Sequence, residues 1–271
     1  MKIFAIRDEY EPSQKDLGYL LYYEKSKSFY IELPEKADPW ETPLLLSSFA
    51  KKGETSINSY WSRLWVQQRI VPPDRQNIGQ VLRNNNLKEY DEYALLMLSM
   101  GRCAQDDYYL VPVEESQLPK DVLQKFTKRI EDVVPLSDHN LLVFFRDGIV
   151  RKCDLTSYFA QHSSFSILQK KLEYFPNVQI QPGGHGIAWD DMLTIPDFIL
   201  YKMGELIPLS IDDFRCFASQ RMVNATEAAE ILDCSRQYIN ELVKKGQLHP
   251  VKAYVKNTLF LKSEVLKRNW Q

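Results

Sequence analysis

The amino-acid sequence predicts an α+β protein in three parts: a mixed region over residues 1–113, a small α+β domain over 129–205, and a C-terminal module over 221–271. Three observations carry that expectation. Strand-like runs fall in two separate tracts, each followed by segments with helical periodicity. The chain has 271 residues, long for one domain, and its 44% hydrophobic and 12% aromatic content is ample for packed cores. The charge also changes along the chain. From Arg221 onward there are nine Lys/Arg against five Asp/Glu, whereas the preceding 220 residues carry 25 against 31, a basic piece behind an acidic body.

In the first part, Ile3-Phe4-Ala5-Ile6, Tyr19-Leu20-Leu21-Tyr22-Tyr23 and Phe29-Tyr30-Ile31-Glu32-Leu33 read as strands, the last two joined by a hairpin loop at Glu24–Ser28. Helices are expected near Ser59–Arg69, stopping before Pro72-Pro73, over Asp74–Arg83, and over Glu89–Met100, which ends at Gly101. The stretch Val113–Lys128 is polar, holds Pro119 and reads as a connector. Beyond it, Leu141–Phe145 and Ile149-Val150 flank Asp147-Gly148, a dipeptide suited to a type I′ hairpin turn. A helical segment over Phe165–Tyr174, a glycine-rich turn at Gly183–Gly186, the strand Ile187–Trp189 and a short helix Ile195–Lys202 complete the middle part. Ser210, with Asp213 three residues later, is placed to cap a linking helix toward Gln220.

The C-terminal tract is the most informative. Asn224 is placed to cap a helix and Glu227 to close a capping box. Ala228, Ala229, Ile231 and Leu232 supply a small apolar face, Asp233-Cys234 a tight turn, and Ser235 the cap of a second helix. Ile239, Leu242 and Val243 form that helix's inner stripe, and Gly246 ends it. Two short capped helices joined by a tight turn are the requirements of a helix-turn-helix. The opposite face of the second helix centres on Gln237, Glu241 and Lys244, flanked by Arg236, Asn240 and Lys245. Arg236, Gln237 and Asn240 are residue types that reach base edges, and Lys244 and Lys245 suit phosphates. Glu241 is a misfit on such a face. Pro250–Val255 and Thr258–Leu261 read as a hairpin turning at Lys256-Asn257, with Lys252 and Lys256 as further phosphate contacts and a last helix beginning at Ser263.

Three resemblances accompany these motifs. The order Glu227-Ala228-Ala229-Glu230-Ile231-Leu232…Ser235-Arg236-Gln237…Ile239…Leu242-Val243-Lys244-Lys245-Gly246, with the hairpin behind it, resembles the winged helix-turn-helix modules of MerR and excisionase proteins. That resemblance implies double-stranded DNA as the partner. Phe145-Arg146-Asp147-Gly148, Cys153-Asp154-Leu155, Phe175, Ile187-Ala188-Trp189 and Ile195–Tyr201 resemble the bacterial domain of unknown function 2442, which implies a small α+β fold and no known chemistry. Trp65–Pro72, Arg75–Ile78, Leu82, Gly101-Arg102 and Asp106–Tyr109 are similar to a segment ahead of the kinase core in HipA-like proteins, without that core. It implies a docking segment.

Other residues invite sharper readings and receive plainer ones. The adjacent pairs Asp106-Asp107, Asp190-Asp191 and Asp212-Asp213 are read as caps or solvated loops, because sequence neighbours point apart. His185 lies in its turn because glycine permits the turn, with an anion-binding nest as the sharper alternative. Trp61 and Trp65 are read as core, and Arg69 and Arg75 as solvated. The four histidines and four cysteines have no metal-ligand spacing, and no cofactor is expected. The absence of a signal-like start or a membrane-length apolar run makes the cytoplasm the expected compartment. The expectation is a bacterial DNA-binding regulator, of transcription or of a mobile element, that is not an enzyme. It acts as a homodimer or with a protein partner held through the acidic body. The alternative is an antitoxin-like or adaptor protein whose C-terminal module docks a protein.

Overall fold

The computed structural model describes residues 1–11, 13–252, 258–261 and 265. Two compact units result, Met1–Ile207 and Pro208–Gln271, and both mix helices with antiparallel strands in an α+β architecture. The boundary expected between residues 113 and 129 therefore falls inside the first unit.

The first unit opens with β1 (Lys2–Asp8), β2 (Gly18–Tyr23), β3 (Ser28–Glu32), α1 (Leu44–Lys51), β4 (Ser56–Ile57), α2 (Ser59–Gln67), α3 (Ile78–Asn84), α4 (Glu92–Ser99), β5 (Tyr108–Pro112) and α5 (Lys120–Thr127). The strands form an antiparallel sheet in the order β4-β3-β2-β1-β5. Successive side chains alternate between its faces. Phe4, Ile6, Leu20, Phe29 and Ile31 meet Leu46, Trp65, Val66 and Leu96 from α1, α2 and α4. Ile3, Ala5, Tyr19, Leu21 and Tyr30 point the other way, onto Leu118 and Val122. Burial on both faces explains why these strands read as unbroken apolar runs.

That second face requires a correction. The stretch expected to be a connector holds a 3₁₀ turn at Glu115–Gln117 and then α5, whose Val122, Leu123 and Phe126 pack on the sheet. Pro119 precedes the first helical residue, where its missing N–H costs nothing, so it starts the helix instead of marking a loop. Arg69 is a second correction. It is buried, its guanidinium donating to both oxygens of Asp106 at 2.8 and 2.6 Å and lying over the Trp65 ring at 3.9 Å. Asp106 is thus an ion-pair partner and not a solvated loop residue, and it closes the Gly101–Tyr108 loop onto α2. Arg75 is exposed, as expected.

The unit continues with β6 (Ile130–Pro135), β7 (Asn140–Phe145), β8 (Val150–Asp154), α6 (Thr156–Gln161), α7 (Ser166–Lys170), β9 (Gln179–Ile180), β10 (Gly186–Ala188), β11 (Thr194–Pro196), α8 (Asp197–Met203) and β12 (Glu205–Ile207). A four-stranded sheet, β12-β8-β7-β6, and a three-stranded one, β11-β10-β9, enclose Leu141, Val143, Phe145, Cys153, Phe159, Phe165, Ile187, Ile195 and Leu200. The β7–β8 hairpin forms, but not through a type I′ turn. Only Gly148 has positive φ (81°), and its N–H donates to the Phe145 carbonyl at 3.0 Å, so Arg146 and Asp147 occupy a right-handed turn before a left-handed glycine. The single helix expected over Phe165–Tyr174 is divided into α7 and flanking 3₁₀ turns, the second containing Pro176. Ile195 lies in β11, paired with Ile187, because the core needs its side chain there and Pro196 delays the helix.

A buried polar cluster joins the two sheets' elements. Glu32 ends β3 with no exposed surface; its carboxylate accepts from Arg129, from Ser56 Oγ at 2.7 Å and from Lys125 Nζ at 3.3 Å. Arg129 also donates to Asp197, the first residue of α8, at 2.7 Å. One guanidinium thus satisfies a carboxylate from each half of the unit. Beside them His185 stacks on Tyr30 at 3.8 Å and shares a 3.0 Å hydrogen bond with the Tyr23 hydroxyl. Burial raises Asp197 to about 6 against the attraction of Arg129. Burial, with the positive charges of Arg129 and Arg146, holds His185 well below its ordinary range and therefore neutral. The glycine turn is as expected, with Gly183 and Gly184 at φ 72° and 79°, while His185 is a packed, hydrogen-bonded group of the junction.

Candidate nucleic-acid interface

The second unit begins with α9 (Ile211–Arg221), followed by β13 (Met222–Asn224), α10 (Ala225–Ile231), α11 (Arg236–Lys244), β14 (Pro250–Lys252) and β15 (Leu259–Leu261). Ser210 and Asp213 form the expected capping box on α9, which accounts for the Asp212-Asp213 pair. Asn224 Oδ1 accepts from the backbone of Thr226 (2.8 Å) and Glu227 (3.1 Å), and Glu227 returns a carboxylate to the Asn224 N–H at 2.8 Å. Four otherwise orphaned donors open each helix, so this reciprocal pair fixes where α10 begins.

The turn between α10 and α11 is closed from the backbone. Cys234 N–H donates to the Ala229 carbonyl at 3.0 Å and Asp233 N–H to that of Glu230 at 3.2 Å, with Asp233 at φ 48°. This is the Schellman arrangement, with aspartate tolerating the left-handed position usually given to glycine. Ser235 then caps α11 through Tyr238 N–H at 3.2 Å. At its far end Gly246, φ 64°, repeats the arrangement, with Gln247 N–H donating to Leu242 at 2.8 Å. Ala228 and Ala229 let the two helices approach, and Ile239 and Leu242 fill the space beneath with Val223, Leu248 and Phe260. β14 and β15 belong to a three-stranded sheet in the order β13-β15-β14; residues 253–257 of the expected hairpin lie outside the described residues. β13, which the sequence reading did not foresee, pairs with β15 and ties the start of α10 to the hairpin.

With Ile239 and Leu242 inward, every residue expected to face DNA on α11 is exposed: Arg236, Gln237, Asn240, Lys244 and Lys245. At about 100° per residue, Gln237, Asn240 and Lys244 share one side of the outward face with Arg236 at its edge. Lys245 belongs to the other side, 3.8 Å from the Glu241 carboxylate in an exposed pair. Glu241 therefore neutralises a neighbouring lysine, and so the negative charge on this face is partly offset. Tyr238, 46% exposed, stands beside them and was missed by the sequence reading. Its position one residue before the buried Ile239 was the available signal. Lys252 is exposed on β14, whereas Lys256, the turn at Lys256-Asn257 and the helix expected from Ser263 lie outside the described residues. Among the described residues no helix is long and apolar enough to cross a membrane.

No curated protein and no solved structure matches the chain. Two family models do match parts of it: a protein of unknown function, DUF2442, over residues 130–202, and a helix-turn-helix domain over residues 222–268.

Proposed function

We propose that this protein is a sequence-specific DNA-binding regulator, of transcription or of a mobile element, whose chemistry is recognition and not catalysis. The observation that carries the reading is the outward face of α11. It presents a guanidinium, two side-chain amides and an ammonium opposite the buried Ile239 and Leu242, at the place where a second helix of this motif enters the major groove. Arg236, Gln237 and Asn240 are assigned to base edges; Lys244 and Lys245 are assigned to phosphates. β14 and β15 act as the wing, with Lys252 and Lys256 contacting the backbone. The dipole of α11 adds positive potential at its N-terminus, near Arg236.

The test is selection of full-length protein on randomised duplex DNA, followed by binding across a salt series. The expected result is an enriched motif and an affinity that falls with salt. Lys244→Ala should weaken binding to all sequences and lower the salt slope by about one. Gln237→Ala or Asn240→Ala should relax discrimination at one or two base positions. Equal losses on specific and random DNA for all three variants would overturn the assignment. A second reading draws on Tyr238 and the Glu241–Lys245 pair, which suit a protein surface. In that case no motif is enriched, and Tyr238→Ala releases a co-purifying protein.

A further inference from the structure

The first unit holds a cleft of about 540 Å³, within the range of small-molecule sites, that the DNA-binding reading does not use. One wall is the β2–β3 turn and the head of α2, with Lys27, Asn58 and Tyr60. The other is built around β9, β10 and β11, with Gln181, Asp190 and Thr194. A narrower cavity shares Tyr30, Asn58, Gln181 and Thr194 with this cleft and ends on His185 and Asp197, both buried. The buried polar cluster therefore lies at the closed end of a recess.

Charge and hydrogen bonding decide what fits there. The cleft's two cations and two carboxylates cancel, and all but the exposed Asp191 are already committed. Lys27 Nζ lies 3.5 Å from Asp91 and 3.7 Å from Glu89, and Arg63 Nε donates to Glu92 at 2.7 Å. Asp190 accepts from the Met192 and Leu193 N–H groups, each at 2.8 Å. An anionic ligand would have to break one of the lysine or arginine pairs. By contrast, the side chains of Gln181 and Thr194 have no hydrogen-bond partner among the described residues. Asn58 uses only its Oδ1, which accepts from Trp61 N–H at 3.1 Å. Amides and hydroxyls that both donate and accept match a ligand that does the same at adjacent points. Tyr60, 65% exposed, adds an apolar ring face. Tyr30 is already covered by His185, stacked at 3.8 Å, so the two rings leave no slot to sandwich a planar base. A sugar ring combines neighbouring hydroxyls with an apolar C–H face and carries no charge.

We propose that this cleft binds a neutral sugar of one or two rings, its hydroxyls on Asn58, Gln181 and Thr194 and a C–H face against Tyr60. All of these residues lie in the first unit, so the site stands or falls independently of the DNA-binding reading.

The experiment is isothermal titration of full-length protein with glucose, galactose, ribose, maltose and lactose, with glucose 6-phosphate, glucuronate and adenosine as counter-probes. At least one neutral sugar should bind with a Kd of about 1 mM or tighter, and the counter-probes about tenfold more weakly or not at all. Thr194→Val keeps the side chain's shape and Tyr60→Ala changes an exposed ring, so both variants should unfold in urea as wild type does. Each should weaken the bound sugar about tenfold. Undiminished binding in both variants would overturn the site. Failure of all five sugars to bind at about 20 mM, or tighter binding of a charged probe or of adenosine, would overturn the ligand class.

Discussion

Arg129→Met tests whether one guanidinium holds the two halves of the first unit together. The substitution keeps an unbranched side chain in place and removes the group that satisfies both Glu32 and Asp197. Those carboxylates are 0% and 4% exposed, so neither recruits bulk water unless the junction opens. Stranding a buried charge costs about 3–5 kcal/mol. Two features moderate that figure: Lys125 and Ser56 still donate to Glu32, and Asp197, already raised to about 6, escapes by binding a proton. Taking a group of that pKa to its neutral form at pH 7 costs about 1.4 kcal/mol. The expected loss is therefore about 3 kcal/mol at pH 7, and less at pH 5, where Asp197 is already protonated. Urea unfolding followed by the fluorescence of the buried Trp65, with a separate far-UV trace, measures it. The same substitution in a Glu32→Gln/Asp197→Asn background should be neutral or stabilising, since there Arg129 is itself the uncompensated charge. A loss under about 1 kcal/mol at pH 7, or an equal loss in both backgrounds, would refute the reasoning.

Three further expectations follow from the same structure. Asp197, with its folded pKa about 6 lying above its unfolded value, contributes stability that is present in acid and fades as pH rises through 6, while His185, held neutral below its ordinary range, contributes stability present above about pH 6.5 and lost on acidification. The two oppose each other, so Asp197→Asn should show a steeper fall in stability from pH 7 to 5 than wild type; an unchanged profile by urea titration would contradict this. Gly184→Ala should cost well over 2 kcal/mol, because φ is 79° and a Cβ would overlap the Ile130 carbonyl oxygen, whereas Gly148→Ala, at φ 81° in open space, should cost only about 1–2 kcal/mol; similar melting shifts for both would be evidence against the steric account. Asn224→Ala removes the acceptor for two backbone N–H groups and should destabilise the C-terminal unit by about 1 kcal/mol, read as faster amide exchange in α10, with no change in the first unit.

The sequence by itself determined those features whose causes lie within about four residues. Asn224 with Glu227, Ser235, Gly246 and the Ile239–Leu242 spacing place α10 and α11, because caps, helix ends and stripes are local interactions. The exposed face of α11 follows from that register, so Arg236, Gln237, Asn240, Lys244 and Lys245 were legible as a set. Their division into two sides was implicit in the same 100° step, and the pairing of Lys245 with Glu241 in their i, i+4 spacing. Tertiary structure alone decided the rest. Arg129 meets Asp197 across 68 positions and Glu32 across 97, and Arg69 meets Asp106 across 37, so nothing near these arginines in sequence announces their burial. Residues 113–128 read as a linker because only one narrow face of α5 is apolar, and that face acquires meaning only when the sheet lies beneath it. Periodicity reports which side of an element avoids water; what covers that side, and which distant charge is brought into it, is set by how the elements pack.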